Sequence, residues 1–283
     1  MTNTRLSRRK FLACAGAGGL GLAGYAGLVA PFRVGIGRHE FKTRLPDPDR
    51  PLKLLHLADF HASWHDSLGF IEEAVELGLQ LKPDLVCITG DFITRQYTAL
   101  DAYAKVLAKL SAAAPAFACL GNHDGGRWSS TRRGYETTQP VRHLLQKSQI
   151  ELLHDRSTTI RLKGRIVKLT GLADVWAENL NLAAAFPPEE AGGAAARIVL
   201  SHNPDTKELL KLYPWDLLLC GHTHGGQVVL PFLGAPWAPV RDKRFLAGMH
   251  SWDNRWIHIT PGVGNAFGVR FNCPPEVSLI TVI

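Results

Sequence analysis

Residue types that bind metals recur at five places along the chain, each directly after a short apolar run. The five blocks are Asp59-Phe60-His61, Gly90-Asp91, Gly121-Asn122-His123-Asp124, Ser201-His202 and Gly221-His222-Thr223-His224. Mixtures of imidazole and carboxylate groups suit divalent ions such as Mn, Fe, Zn or Ni. Any one block alone would be an ordinary turn, whereas all five in this order predict a metal centre.

The strands and helices of the first half must bring the first three blocks together. The sequence predicts strands at 52–58, 84–89 and 116–120, and helices at 67–82 and 99–113, the second capped by Thr98. These blocks are about thirty residues apart, which is the length of a βαβ unit. Their loops are therefore expected side by side at the carboxyl edge of a parallel sheet, where α/β proteins build their sites.

The second half of the chain changes to a pattern rich in hairpins. Lys163-Gly164 lies between two runs at 158–162 and 165–170 and predicts a β-hairpin. The sequence also predicts helices at 141–148 and 205–212, an irregular stretch at 178–196, and strands at 150–153, 197–200, 217–220, 228–230, 245–249, 256–260 and 277–283. Parallel units followed by hairpins predict an α/β fold, a mixed two-sheet β-sandwich flanked by helices.

The N-terminus has the pattern of an export signal. The run Ser7-Arg8-Arg9-Lys10-Phe11-Leu12 precedes an Ala-, Gly- and Leu-rich stretch that reaches residue 30. This pattern resembles a twin-arginine signal, so the twin-arginine export machinery is an expected partner. Cleavage at the weak site Gly24-Tyr25-Ala26 and retention as a membrane anchor both stay open. We divide the chain into a signal or anchor at 1–30, a polar lead-in at 31–51 and one domain at 52–283.

Charge and cysteine content argue against two broad classes of protein. The formal net charge is +7, but four basic residues lie in the first ten positions, and the rest of the chain has an excess of only +3. That excess is too small for a nucleic-acid-binding surface, so no nucleic-acid partner is expected. Cys87, Cys119 and Cys220 each end an apolar run, which predicts small core residues and no disulfide framework.

The order D-x-H, G-D, G-N-H-[DE], H, G-H-x-H resembles the calcineurin-like metallophosphoesterases, and all five blocks are intact. The resemblance extends over about 52–283. Residues 221–227 and 270–277 are similar to the bacterial YkuE/YaeI-like branch of exported phosphodiesterases. The resemblance implies a four-layer αββα arrangement and a centre of two divalent metal ions. The export signal predicts a periplasmic location or one at the outer face of the cytoplasmic membrane, where residues 11–30 could anchor the chain.

The resemblance also implies a role for each block. One ion would be held by Asp59, His61 and His224. The other ion would be held by Asn122, His202 and His222, and Asp91 would bridge both. The implied catalytic residues are His123, which would lie near the leaving group without binding metal, and Asp124, which would orient it.

Hydrolysis of a phosphodiester is the reaction that these roles imply. A hydroxide bridging the two ions would attack phosphorus, and His123 would act as general acid on the departing alkoxide. Two divalent ions bring four positive charges, of which Asp59, Asp91 and the hydroxide neutralise three. The single remaining charge matches the monoanion of a phosphodiester.

The physiological substrate and two alternative functions stay open. One substrate class is a soluble or cell-wall phosphodiester. The other is a lipid-linked pyrophosphate such as UDP-2,3-diacylglucosamine, an intermediate of lipid A biosynthesis. Export argues against a nucleotide-linked cytoplasmic substrate, whereas a membrane anchor favours a lipid one. The alternative functions are a phosphomonoesterase and a non-catalytic scaffold with this fold, and the intact ligand set weighs against the scaffold.

The Arg8-Arg9 pair generates a prediction about export. Changing both residues to Lys keeps the positive charge but removes the paired guanidinium groups, so the double variant should accumulate in the cytoplasm. Cell fractionation with immunoblotting measures the distribution. The matched control is Arg5→Lys, which should be exported like the parent chain. Export of the double variant at the parental level would exclude the twin-arginine route.

Overall fold

Two six-stranded sheets form the centre of the fold. The computed structural model describes residues 8–43, 47, 49–188 and 193–283, apart from the side chains of residues 10–15. In chain order the helices are α1 (Arg8–Leu28), α2 (Leu68–Leu79), α3 (Leu100–Ala113), α4 (Arg127–Ser130), α5 (Gln139–Lys147) and α6 (Leu182–Ala185). The strands are β1 (Gly35–Phe41), β2 (Leu52–Leu57), β3 (Leu85–Thr89), β4 (Ala116–Cys119), β5 (Glu151–Leu152), β6 (Arg156–Leu162), β7 (Arg165–Gly171), β8 (Ala196–Leu200), β9 (Leu217–Cys220), β10 (Gly248–Trp252), β11 (Arg255–Ile259) and β12 (Glu276–Val282).

Both sheets contain parallel and antiparallel pairs. The first has the order β1-β12-β2-β3-β4-β5 and is parallel except where β12 meets β2. The second has the order β10-β11-β9-β8-β7-β6 and is antiparallel only at its two outer pairs. The predicted mixed two-sheet α/β fold is therefore confirmed, including the hairpin around Lys163-Gly164.

Three apolar layers hold the sheets and helices together. Leu55 and Leu57 of β2 pack with the buried faces of α2, α3 and α5, whereas Leu54, from the other side of the strand, packs between the two sheets. On the far face of the second sheet, Trp215 and Ile257 belong to a third buried cluster. The central strands read as continuous apolar runs because both of their faces are covered.

The predicted core cysteines lie within these layers. Cys87 lies in the middle of β3, and Cys119 and Cys220 end β4 and β9; all three are fully buried free thiols. Burial raises the pKa of each thiol above its ordinary value. The prediction of small core residues is confirmed for these three positions.

The predicted lead-in contains a strand that sequence analysis did not find. β1 lies at the edge of the first sheet and pairs in parallel with β12, with Gly35 opposite Glu276 and Phe41 opposite Val282. Its exposure alternates along the strand, and it contains two glycines and three charged or polar residues. Local sequence therefore resembles a loop, and the partner that makes it a strand is more than two hundred residues away.

Three other local predictions were wrong. Thr98 does not cap α3, which begins after Ala99 without a side-chain cap, whereas Ser67 does cap α2 by accepting a hydrogen bond from the N–H of Phe70. The expected strand at 228–230 is reduced to isolated bridges. The expected helix at 205–212 is a short 3₁₀ turn, Pro204–Glu208.

The predicted export segment is largely helical. α1 covers most of it, and residues 1–7 lie outside the described part of the chain. Among the helices that the structure describes, none is both long and apolar enough to cross a membrane. The end of the segment contacts the domain, because the carbonyl of Ala26 accepts a hydrogen bond from the N–H of Arg270 and Phe32 packs edge-on against Phe70.

Arg270 supports the loop that follows β11. Its guanidinium is fully buried and donates hydrogen bonds to the side chain of Asn265 and to the carbonyls of Pro261, Gly262, Gly264 and Cys273. The loop then donates from the N–H of Gly264 to the carbonyl of Asp59, at 2.6 Å. The structure gives Arg270 a bracing role through carbonyl groups.

Candidate metal centre

The five predicted blocks meet at one edge of the sandwich. They follow β2, β3, β4, β8 and β9, whose carboxyl ends lie next to one another because these strands run in parallel within their sheets. Predicted metal ligands from the first half of the chain are thereby in direct contact with those from the second half. The histidine and aspartate side chains are almost completely buried, and no residue of the predicted ligand set is more than 5% exposed.

Asp91 lies at the centre of the cluster. Its Oδ2 atom is 3.5 Å from Nε2 of His61 and 3.2 Å from Nε2 of His202. Its Oδ1 atom accepts a hydrogen bond from the backbone N–H of His123 at 2.8 Å. One carboxylate therefore contacts both histidine groups, which is the position that a bridging ligand requires.

Two groups of ligand atoms meet at Asp91, which is itself a member of the second group. Asp59, His61 and His224 form one group, and Asp91, His202 and His222 form the other; within each group the ligand atoms lie within 4.8 Å of one another. Nε2 of His61 is 3.0 Å from Nε2 of His224, and Nε2 of His202 is 3.1 Å from Nδ1 of His222.

The predicted ligand Asn122 completes the donor set. It is buried, it lines the same cavity as Asp91, and its Oδ1 atom has no hydrogen-bond partner among the described residues. A buried amide oxygen without a partner costs free energy unless another group, such as a cation, binds it. Converging nitrogen and oxygen acceptors together with this oxygen fit divalent metal ions.

The backbone around the site is unusual for residues with side chains. Asp59, His61, Asp91, His222 and His224 all have φ angles between 50° and 70°, in the left-handed region. Asp and His tolerate this region better than most residues, but it remains costly, and such residues concentrate at functional sites. The tight turns aim successive side chains of each block into the cluster.

Glycines allow two of the loops to approach the aspartates closely. A Cβ atom at Gly121 would overlap Oδ1 of Asp91, and one at Gly221 would overlap Oδ2 of Asp59. Only a residue without a side chain fits either position. Gly121 therefore makes room for the carboxylate of Asp91, and Gly221 for that of Asp59.

Burial and charge set the protonation of the cluster. Burial lowers the pKa of His61 to about 3 and holds the pKa values of His222 and His224 well below their ordinary range, so these rings are neutral. Burial would raise the pKa of Asp91 and lower that of His202, but their mutual attraction outweighs it. The pKa of Asp91 is therefore low, and that of His202 is raised well above the usual value.

Asp124 does not have the predicted orientation. Its carboxylate accepts hydrogen bonds from the N–H groups of Asp91, Phe92 and Gly121 at 2.7 to 2.9 Å, so it braces the neighbouring loop. The predicted support of His123 comes instead from the carbonyl of Thr94, which is 2.8 Å from Nδ1 of His123. Asp124 points away because the chain turns between the two residues and four converging N–H groups attract its charge.

His123 faces the open side of the cluster. With Nδ1 donating to Thr94, the Nε2 atom is the one left for another partner. The ring contacts His61 and Trp128 edge-on, with centroids 4.7 and 4.5 Å away. His123 also lies close enough to His61 and Asp91 to share an ion with them, so its position fits either a ligand or a group facing substrate.

A cavity of about 670 Å³ opens over the cluster. Its floor contains Asp91 and His123. Its walls contain basic and aromatic side chains: Arg95, Arg132, Arg133, Trp128, Trp176, Trp237 and Phe267. Trp176 is 39% exposed and touches the ring of His222.

Asp174 is a buried acid of the site region that sequence analysis missed. It follows β7 by three residues, accepts hydrogen bonds from the N–H groups of Trp176 and Ala177, and leaves Oδ2 without a partner among the described residues. Burial raises its pKa to about 6, against the opposing attraction of His202. The available signal was the same one that found the other blocks, an acid directly after a buried strand.

The calcineurin-like phosphoesterase family matches residues 52–226, which include all five blocks. The chain belongs to this family. The predicted family and the predicted class of enzyme, a metallophosphoesterase that hydrolyses phosphoric esters, are thereby confirmed. Members of the family typically bind divalent metals, and the two groups of ligand atoms around Asp91 are where this chain could hold them.

Three relatives match most of the chain. It is 40% identical to the phosphodiesterase YaeI of Escherichia coli K12, covering 84% of each protein. It is 26% identical to the UDP-2,3-diacylglucosamine pyrophosphatase LpxG of Chlamydia muridarum, covering 81% of this chain and 83% of LpxG. It is 29% identical to the metallophosphoesterase YkuE of Bacillus subtilis, covering 98% of both.

The raised pKa of His202 generates a prediction about metal uptake. Without metal, the attraction of Asp91 favours the cationic ring with protons on both nitrogens, and a ligating nitrogen must lose its proton. Binding of Mn²⁺ should therefore release at least one proton per chain, because Asp59, whose pKa burial raises to about 7, must also be unprotonated, and the affinity should weaken as the pH falls. Calorimetric titration in buffers with different ionisation enthalpies measures the number of protons.

The control variants separate His202 from other histidines. His202→Gln should release about one proton less, while the exposed His143→Ala should behave like the parent protein. A binding enthalpy that does not depend on the buffer would contradict the protonated state of His202.

Proposed function

We propose that the chain hydrolyses phosphodiesters with two divalent metal ions held by the residues around Asp91. Asp59, His61 and His224 would hold one ion, Asn122, His202 and His222 the other, and Asp91 both. When bound, such a pair activates water and stabilises the charge that develops on phosphate oxygens. The observation that supports this most directly is the position of Asp91, whose single Oδ2 atom contacts histidines of both groups.

The proposed role of His123 is to protonate the leaving oxygen. A general acid must reach the substrate and hold a proton on the atom that faces it. The Thr94 carbonyl accepts from Nδ1, so the acid form of His123 would be the imidazolium, whose Nε2 proton would face the phosphate in the cavity above the cluster. The bond from the His123 N–H to Asp91 fixes the backbone of the acid to the same carboxylate that organises the ligands.

Basic and apolar walls of the cavity favour an anionic substrate with an acyl chain. Arg95, Arg132 and Arg133 provide positive charge beside the cluster, and the Arg132 guanidinium lies 3.9 Å from the centroid of the Trp128 ring. In the same cavity, Trp237 and Phe267 contact each other and are 58% and 69% exposed. Within the phosphodiester class we therefore propose a lipid-linked pyrophosphate. LpxG is named for a nucleotide-linked compound of this class, whereas the export that we propose favours one without a nucleotide.

We also propose export by the twin-arginine route, to the periplasm or to the outer face of the cytoplasmic membrane. The basis is the Arg8-Arg9 pair before the Gly-rich segment that forms α1. A lipid substrate fits this location, because membrane lipids are accessible there without a soluble nucleotide pool. The twin-arginine machinery would accept the domain already folded, which suits its buried free cysteines.

The role of His123 can be tested by varying the leaving group. His123→Ala should keep the metal content but slow hydrolysis of an alkyl phosphodiester by about 10²–10⁴-fold, because the alkoxide then leaves without a proton. The loss should be much smaller for bis(p-nitrophenyl) phosphate, since phenolate needs no proton. Elemental analysis and steady-state rates provide the two measurements.

Asp91→Asn is the matched control in the same cluster. It should lose metal and should slow both substrates alike, because Asp91 contacts both ligand groups. If His123→Ala lost metal or slowed both substrates equally, His123 would be a ligand and not the acid. If the parent protein cleaved p-nitrophenyl phosphate faster than either diester, the monoesterase alternative would replace the proposed function.

The lipid class can be tested with a substrate pair that differs only in its acyl chains. The acylated pyrophosphate should have a kcat/KM about tenfold higher than the deacylated one, from burial of the chain against Trp237 and Phe267. A double variant, Trp237→Ala with Phe267→Ala, should remove the preference. Trp64→Ala is the control, since Trp64 is 93% exposed but lies outside this cavity. An equal kcat/KM for both substrates would exclude the lipid class while leaving the diesterase intact.

A further inference from the structure

Another cluster of residues that can bind metal lies between the two sheets, outside the five blocks and away from Asp91. It consists of His39 on β1, His258 on β11 and Glu276 on β12. Each offers one ligand atom, and the three atoms lie within 4.8 Å of one another. β1 and β12 are neighbours in the first sheet, whereas β11 belongs to the second. The group therefore spans the two halves of the sandwich.

Two ring nitrogens in this group have no partner among the described residues. His258 is fully buried and its Nε2 atom makes no hydrogen bond, and Nε2 of His39 makes none either. Nε2 of His39 is 3.8 Å from Oε1 of Glu276, which is too far for a hydrogen bond. The two imidazole rings are 4.4 Å apart between centroids. Buried polar atoms are normally paired, so these nitrogens point to a ligand that both could bind.

The neighbours of His258 are compatible with a ring form that can bind metal. Its Nδ1 atom is 2.8 Å from Nδ1 of His56, whose Nε2 atom is 2.9 Å from Oγ1 of Thr89. One of the facing nitrogens must donate, and if His258 does, its Nε2 keeps a free lone pair. Metal-binding histidines usually donate their other ring N–H in this way. Burial lowers the pKa values of both rings, that of His56 to about 3, so both are neutral.

Glu276 reaches the histidines across a position without a side chain. A Cβ atom at Gly37 would overlap the Glu276 carboxylate, so the carboxylate lies directly over the backbone of β1. The hydroxyl of Ser278 donates to Oε1 of Glu276 at 2.6 Å. The same Oε1 atom lies 3.8 Å from Nε2 of His39 and keeps a second lone pair with which it can bind an ion. The side chains of Glu276 and His39 are 23% and 20% exposed, which gives solvent access to the group.

We propose that His39, His258 and Glu276 bind a Zn²⁺ ion that joins the two sheets. Two imidazoles and one carboxylate are a ligand set that zinc accepts, with water at the fourth position. The ion would connect the edge strand β1 and its neighbour β12 to β11 of the opposite sheet. The site would be structural and separate from the cluster around Asp91.

Zinc content of ligand variants tests the proposal. The full chain and the variants His39→Gln and Glu276→Gln are treated with a chelator, reloaded with Zn²⁺, desalted and measured by elemental analysis. Each variant should contain about one equivalent less than the parent protein. His143→Ala, which removes an exposed histidine on α5, is the matched control and should keep the parental zinc content.

Thermal stability provides a second measurement on the same proteins. Zn²⁺ should raise the Tm of the parent by about 5 °C more than the Tm of either ligand variant. Circular dichroism establishes that the variants are folded, and Glu276→Gln keeps the shape of the side chain. Equal zinc content in the parent and both variants would overturn the proposal, and so would an equal loss in His143→Ala.

Discussion

The site depends on the cost of bringing histidine rings and carboxylates together in a dry interior. Pairs of ring nitrogens face each other at 3.0 and 3.1 Å, and Asp91 contacts a ring of each pair. The carboxylates of Asp59 and Asp91 repel each other, and burial removes the water that would screen them. A cation relieves both effects. The fold must therefore hold these groups rigidly before any ion binds, and much of the structure at this edge serves that purpose.

Backbone groups provide most of the rigidity. Asp124 accepts four N–H groups from the loops after β3 and β4, which ties Asp91 to the G-N-H block. On the other side, both carboxylate oxygens of Asp59 accept from the N–H of His222 at 3.1 Å. Arg270 braces the loop that contacts the carbonyl of Asp59. Each ligand is thereby held from behind, and the strained left-handed turns are supported by several hydrogen bonds at once.

The sandwich uses its interior in two different ways. Most of the space between the sheets is apolar, with Leu54, Leu169 and Leu219 typical of its lining. At the β1 and β11 side it is instead rich in histidine, where His39, His56 and His258 contact one another. Polar groups in a core specify how its parts align, because each must meet its partner. His39 on β1 and His258 on β11 thereby align these two strands, and the sequence of β1 by itself has little preference for a strand.

The sequence alone determined the family, the mixed two-sheet fold and the positions of the five blocks. This was possible because apolar runs with regular spacing report strands, and the blocks follow them directly, at 59–61, 90–91, 121–124, 201–202 and 221–224. Local patterns also identified the hairpin at Lys163-Gly164 and the buried cysteines. All of these features depend on residues close together in the chain.

Only the tertiary structure decided what depends on distant partners. β1 is a strand because β12 pairs with it, and Asp124 turns to the loop after β3 because N–H groups converge there. Trp176 lines the cavity, although its sequence context is that of a core residue, because the ring of His222 lies beside it. His39, His258 and Glu276 form no motif in the sequence, and the two sheets bring them together. A linear pattern records which residues follow a strand, whereas the packing of two sheets determines which of them meet.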